Sequence, residues 1–335
     1  MRKVAILVAA VMLVGGALWL YRQSAVTRST TTTSAAIATT TTTTIAAPPN
    51  SCASAGDTGS SSTTSTLKSD CVPWKAQDTW SGALPSIYTA SFDPIPTQPA
   101  ITAYAAWIRT SSTDLALYPG YEGPGPSALA RGPEMVPPSA YPRLLATFNS
   151  GFYEKDGSAG FYANQTLYFP MVRGEATVVR YTNGTVDVLA WTGGPRPGPT
   201  LVMARQNLAL LVNDSVAAPT ASDNALWGVT LHGLPAVWRT ALGVDANGNL
   251  IYVAASDVTA QSLAAILVDL HVVRAMQLDI NPEWPIFVTY AGAGAKDPSL
   301  DVPNPNQISR RFLYPSTKDF FAVFETERPG EAQPW

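Results

Sequence analysis

Between Trp238 and Trp284 the chain reads WRTALGVDANGNLIYVAA and, after a three-residue step, TAQSLAAILVDLHVVRAMQLDINPEW. This stretch constrains the fold more than any other. Two apolar runs flank Asn247-Gly248, a pair favoured in type I′ turns, so they are expected to pair as a hairpin. Leu263, Ile266, Leu267 and Leu270 then recur at helical spacing behind Thr259, a residue type that caps helix N-termini. VVRAMQL reads as a buried strand and runs out at Asp279. Hairpin, helix and strand form one unit with Arg239 near its start and Asp279 at its end. A rigid frame bordered by a loop is a common way to present functional side chains.

The same devices recur elsewhere. ATVVRYTNGTVDVLAW is a second hairpin around Asn183-Gly184, and ITAYAAWIRT with DLALYPG is expected to form another across SST. RRFLYPSTKDFFAVFET closes the domain with a strand. The 28 prolines and 24 glycines favour a loop-rich, strand-rich domain over a helical bundle. The predicted class is α+β: a mixed, mostly antiparallel sheet with hairpins and few helices. The 335 residues leave room for one large domain or two small ones, and no internal repeat is visible.

Arg2 and Lys3 precede an uncharged run from Val4 to Tyr21 that Arg22 closes. Residues 1–23 read first as a retained signal anchor and second as a cleaved signal peptide. Either exports the remainder, and the basic flank keeps the N-terminus inside. The expected location is a single-pass attachment to the cell membrane with the C-terminal domain outside, or secretion if the segment is cut. Residues 24–70 are rich in Thr and Ser and read as a disordered stalk, open to O-glycosylation. Residues 71–327 form the expected folded domain and 328–335 a tail. Cys52 and Cys71 are the two cysteines. In an oxidising compartment they would pair and staple the end of the stalk.

Charged residues make up 13% of the chain, the formal net charge is -3, and no basic block exists, which argues against a nucleic-acid partner. The phosphate loop, the dinucleotide fingerprint, HExxH, paired CxxC and GxSxG are all missing from the sequence, so the corresponding enzyme classes lack support. No cofactor is identified. Of the two histidines, His271 falls at the predicted helix end and reads as a capping or packing residue, whereas His232, close to Arg239, reads as a structural loop residue or a candidate substrate contact.

Asp279 has two readings of equal standing. A carboxylate at the end of a buried strand costs free energy unless paired or functional; an Asp there can equally start an Asx-turn. Arg239 suits a phosphate through its planar fork, or pairs with Asp279 or Asp245. Asn149 and Gly151 follow the apolar LLATF, where a glycine permits close backbone approach to a ligand or simply a tight turn. Phe152, Tyr153, Trp227, Trp238 and Trp284 would stack on sugar rings if exposed and pack in the core if not. Asp279, Asn281 and Glu283 offer hard oxygen donors for a metal, at a spacing that matches no known calcium loop; no residue is assigned as a metal ligand.

Taken together, several segments resemble the phosphodiester glycosidase family. They are Asn149-Ser150-Gly151-Phe152-Tyr153, Gly198-Pro199-Thr200-Leu201-Val202, Arg239-Thr240-Ala241-Leu242-Gly243 with its hairpin, and the strand ending Leu278-Asp279-Ile280-Asn281. Arg310 or Arg311 precedes the closing strand in the style of the family's terminal Arg segment. LDINPEW and RQNL are similar to stretches in a divergent actinobacterial subset. The resemblance spans roughly Ile101 to Phe324, and the order of the pieces is its most specific feature. It departs where the family's glycine-rich loop after the Asp is replaced by INPEW. The family includes the enzyme that removes N-acetylglucosamine from a sugar-phosphate diester. The resemblance therefore implies an exported hydrolase of sugar-1-phosphodiesters, with a carbohydrate or sugar-phosphate substrate. It gives catalytic roles to Asp279, Arg239 and the second carboxylate Glu283. Substrate contacts would come from Asn149, Gly151, Asn281, Trp284, His232 and Arg310. A catalytically silent, membrane-anchored carbohydrate-binding protein is the alternative. An ordinary glycoside hydrolase using Asp279 and Glu283 is a third reading.

Overall fold

Leu250–Val258 is apolar on both faces. Ile251, Val253 and Ala255 join one cluster, and Leu250, Tyr252 and Ala254 another. A strand buried on both sides needs a layer on each, and this requirement organises the molecule. The structure is a computed structural model that describes residues 46–52, 71–77, 84–95, 97–122, 132–157, 159–228, 230, 233–292 and 294–326.

Leu250–Val258 sits within an eight-stranded sheet. Its order is Lys75–Ala76, Ile87–Phe92, Ala103–Ile108, Leu250–Val258, Val237–Val244, Arg274–Gln277, Leu210–Asn213 and Val216–Ala217. The α-helix Ala260–Asp269 covers one face, setting Leu263 and Leu267 in the same cluster as Ile251 and Val253. Two five-stranded sheets cover the other. One runs Thr166–Phe169, Phe161–Ala163, Leu201–Gln206, Ala176–Tyr181 and Val186–Ala190; the second runs Pro298–Leu300, Phe287–Tyr290, Leu144–Asn149, Phe320–Glu325 and Thr113–Tyr118. All three sheets contribute to one core. At its centre Phe148 lies 5.3 Å from Tyr252, 5.6 Å from Phe287 and 5.2 Å from Phe321, ring centre to ring centre. The strand ladders among the described residues are antiparallel and helices are few, as expected from the sequence.

Local signals translate well. Thr259 caps the helix, its Oγ1 accepting from Ser262 N–H at 3.1 Å. Both Asn-Gly hairpins form, but neither has the expected type I′ turn. Only the glycines are left-handed, Gly184 at φ 87° and Gly248 at φ 79°. Gly184 N–H donates to Tyr181 O at 3.0 Å and Tyr181 N–H to Thr185 O at 2.8 Å, a three-residue loop with a glycine bulge. At the other tip Asp245 Oδ1 accepts from the N–H groups of Asn247 at 2.8 Å and Asn249 at 2.9 Å, which favours the same form.

The hairpin expected across SST does not exist. Thr110–Ser112 is a 3-10 turn that carries the chain from one sheet to another. Thr113–Tyr118 is buried at every position, with Leu115 and Leu117 in the central core and Ala116 and Tyr118 in an outer cluster. It therefore needs layers on both sides and pairs with Phe320–Glu325 instead.

Cys52 and Cys71 form a disulfide. The bridge does more than staple a stalk, because residues 46–52 lie against the domain. Asn50 Nδ2 donates to Asp269 O at 2.7 Å, Trp74 Nε1 donates to Pro49 O at 2.7 Å, and Val72 is fully buried. His271 adopts φ 58° just past the helix, and its Nε2 lies 2.8 Å from Asn50 Oδ1. The expected anchor (residues 1–23), the remainder of the stalk and the tail (328–335) lie outside the described residues. Among those described, no helix is long and apolar enough to cross a membrane.

Phe148→Ala should lower the free energy of unfolding by about 3–5 kcal/mol, since it removes a large side chain from the core that the three sheets share. Equilibrium urea unfolding checks this; a change under about 1 kcal/mol would mean the core tolerates the cavity.

Candidate functional site

Three segments converge beyond the end of Arg274–Gln277. Leu278 N–H donates to Thr240 O at 2.7 Å, and Asp279 N–H to Ser150 O at 3.1 Å. Thr240 Oγ1 donates to Asp279 O at 2.7 Å and accepts from Asn149 Nδ2 at 2.9 Å. The backbone of Asp279 is thus fixed from two sheets. Its carboxylate is buried, with 3% of the residue exposed. Oδ1 accepts from Asn281 N–H at 2.9 Å, and Asn281 Oδ1 accepts from Glu283 N–H at 3.0 Å, giving two successive Asx-turns through INPEW. Oδ2 accepts from Lys318 Nζ.

Lys318 is itself buried. Its Nζ lies 4.4 Å from the ring centre of Tyr153 and 5.4 Å from that of Trp284, within cation–π range. Next in sequence, Asp319 pairs with Arg205 Nε at 2.8 Å, both side chains fully buried. Arg205 Nη2 donates to Phe152 O at 2.6 Å. Asp279, Lys318, Asp319 and Arg205 make a buried set of two negative and two positive groups. Burial raises the Asp279 pKa above the ordinary carboxylate value; Lys318 and the Asn281 N–H oppose the rise, and the like charge of Asp319 adds to it.

Asp279 opens into a cleft of about 720 Å³, lined by Phe152, Tyr153, Lys155, Ile280 and Trp284 among others. Burial raises the Tyr153 pKa above its ordinary value, and the Thr317 side chain opposes the rise.

The expected site residues divide between cleft and scaffold. Asp279, Asn281 and Trp284 line the cleft. Arg239 does not. It is wholly buried, and its donors go to Val258 O at 3.2 Å, Trp227 O at 3.1 Å, Gln277 Oε1 at 2.7 Å, Asn224 Oδ1 at 3.2 Å and Pro235 O at 3.4 Å. It pairs with neither Asp279 nor Asp245, and burial lowers its pKa to about 10. A guanidinium spent on five internal acceptors has no fork left for a phosphate.

Asn149 lies behind the site, its Oδ1 accepting from Tyr252 Oη at 2.8 Å and Ile286 N–H at 3.3 Å. Gly151 makes room for a side chain: a Cβ there would stand 3.0 Å from Asn207 Cβ. Asn207 uses that closeness to accept from Phe152 N–H at 3.1 Å and donate to Gln277 O at 2.8 Å. Glu283 and Arg310 are exposed and do not line the cleft. Arg311 stands nearer, its guanidinium 6.0 Å from the Trp284 ring centre. His232 lies outside the described residues. Among those described, no three His, Cys, Asp or Glu side chains converge as metal ligands. The Asp279 and Asn281 oxygens considered for a metal are bound up in the turn and the lysine pair.

Lys318, Asp319 and Arg205 were not picked out from the sequence as site residues. The signal was present: KDFFAVF and LVMARQ place charges beside or within apolar strands. The same argument that singled out Asp279 applies to them.

A family model for phosphodiester glycosidases matches residues 143–279. No curated protein matches the chain. Among solved structures, one similar chain is the catalytic domain of zebrafish N-acetylglucosamine-1-phosphodiester alpha-N-acetylglucosaminidase auto-inhibited by its pro-peptide. The two share 16% identity over 77% of this chain and 88% of that one, with a TM-score of 0.47. A protein from Synechocystis is 11% identical over 72% of this chain and 62% of its own, with a TM-score of 0.41. The stretch from Arg143 to Asp279 is thus similar in sequence to phosphodiester glycosidases; it includes Arg205 and ends on the cleft carboxylate, before Lys318 is reached.

Proposed function

We propose that the cleft hydrolyses a sugar-1-phosphodiester between the anomeric carbon and the phosphate oxygen. The observation that carries this reading is the buried carboxylate of Asp279, held by Lys318: it lines an aromatic cleft and ends the stretch similar to phosphodiester glycosidases. Phosphate is a weakly basic leaving group, so bond breaking needs less help from a general acid than in ordinary glycosides. Water attacks C1 and loses a proton to Asp279, which also faces the positive charge growing on the ring. The C1–O bond breaks, and a phosphate monoester and a free sugar leave. Lys318 holds Asp279 in place, and Lys155, which lines the cleft, offsets the phosphate charge. Tyr153 and Trp284 offer ring faces to the sugar, and Asn281 offers polar contacts. Arg239 becomes a positioning residue that ties Gln277 to the 224–227 segment. Export remains part of the proposal, supported by the N-terminal apolar run and by a disulfide suited to an oxidising compartment.

One observation favours the second reading, a carbohydrate-binding protein without turnover: both Asp279 oxygens already accept hydrogen bonds. The glycoside hydrolase reading takes Glu283 as its second carboxylate, and Glu283 does not line the cleft, although Asp156 does.

Asp279→Asn should cut sugar release from sugar-1-phosphodiesters by about 10²–10⁴-fold while circular dichroism stays unchanged. Unaltered release would remove Asp279 from the chemistry. Glycan binding by the wild type with no release from any phosphodiester would favour the second reading.

Asp319→Asn removes a like charge that raises the Asp279 pKa. As Asp279 acts deprotonated, the acid limb of the pH–rate profile should move to lower pH in the folded variant. A limb that stays put or moves up would contradict the assignment.

A further inference from the structure

The cleft is built from two chemically different sets of side chains. One set is aromatic and cationic: Tyr153 and Trp284 line the cleft with Lys155, 5.2 Å from the Tyr153 ring centre, and buried Lys318, outside the lining, lies 4.4 Å from the same ring centre. Around Gly228 stands hydrocarbon. Ile280 and Phe152 close on it, and Leu234 and Val237 also line the cleft. This part is tightly made: a Cβ on Gly228, which has φ 99°, would lie 2.8 Å from Ile280 Cδ1 and 2.9 Å from Phe152 Cζ. Leu234 is left 55% exposed, yet its carbonyl is tied by Thr230 Oγ1 at 2.7 Å. Among the described residues of this set only Thr230 carries a side-chain polar group, and that hydroxyl is already donating to Leu234.

We infer that the group esterified to the phosphate is a hydrocarbon chain, so that the substrate is an amphiphilic sugar-1-phosphodiester; this rests on the function proposed above. The sugar and phosphate lie against Tyr153, Trp284 and Lys155, and the chain runs along Leu234, Val237 and Ile280. A second sugar in that position would lose water from its hydroxyls and find few partners. A hydrocarbon loses nothing there and covers a leucine that water now meets. The cationic set and the apolar set match the two chemical halves of such a molecule. Each methylene buried contributes about fourfold to binding.

The test is calorimetric binding of methyl phosphate, octyl phosphate, citronellyl phosphate and glycerol phosphate to the full chain, below the critical micelle concentrations. It is run beside sugar release from the corresponding esters of N-acetylglucosamine 1-phosphate. Octyl phosphate should bind at least about tenfold tighter than methyl or glycerol phosphate, given that only part of the chain is covered. Leu234→Asp should remove that difference. Citronellyl against octyl phosphate tells a branched isoprenoid from a straight alkyl chain, and a preference for either supports the inference. Equal binding of methyl and octyl phosphate, or a preference for octyl that survives Leu234→Asp, would overturn it. The two proposals fail separately. Release from every ester at one rate keeps the hydrolase and discards the hydrocarbon aglycone; chain-dependent binding without release does the reverse.

Discussion

The buried pairing of Asp279 with Lys318 is the interaction on which the site depends. Neither group belongs inside a protein alone, because an isolated charge in a poorly polarisable interior is expensive. Together, and with Asp319 and Arg205 behind them, they form a set with no net charge. Removing one member of a buried pair strands the other and costs about 3–5 kcal/mol. The scaffold is arranged to hold the set. Thr240 and Ser150 grip the Asp279 backbone, Arg205 reaches from another sheet to Phe152 O, and Lys318 enters just before the closing strand. Three sheets that share one core also share one site, so core packing and site geometry are not separable.

Much of the fold was legible because its signals are local. The Thr259 cap, the helical spacing of Leu263, Ile266 and Leu267, and the two Asn-Gly hairpins all act within a few residues. The error at SST has the opposite origin. ITAYAAWIRT and DLALYPG look like hairpin arms, yet DLALY is apolar on both faces and needs partners from distant parts of the chain. Which strand neighbours which is decided by the layers, and local sequence does not carry that information.

The site was half legible for a related reason. Asp279 stood out because a strand ended on it, and the structure places it in the cleft. Arg239 stood out equally but faces inward. A guanidinium that binds phosphate and one that ties carbonyls together use the same donors. Lys318 comes 39 positions after Asp279 in a segment that reads as the lead-in to a strand, and only the fold brings the two together. Gly151 shows the same ambiguity at the backbone. The need for a small residue was readable, but Asn207 as its cause was not.

The disulfide has a mechanical consequence. Tension applied from the N-terminal side enters the domain at Cys52 and crosses directly to Cys71 through the sulfur bridge. Residues 53–70 are thereby taken off the load path. From Cys71 the force meets Val72, fully buried in the cluster behind the eight-stranded sheet. The bonds from Asn50 to Asp269 O and His271 would be loaded before it. A pull on the leading chain is thus taken up at the end of the helix and the rim of the sheet, by elements that do not line the cleft. The cleft is insulated from that pull.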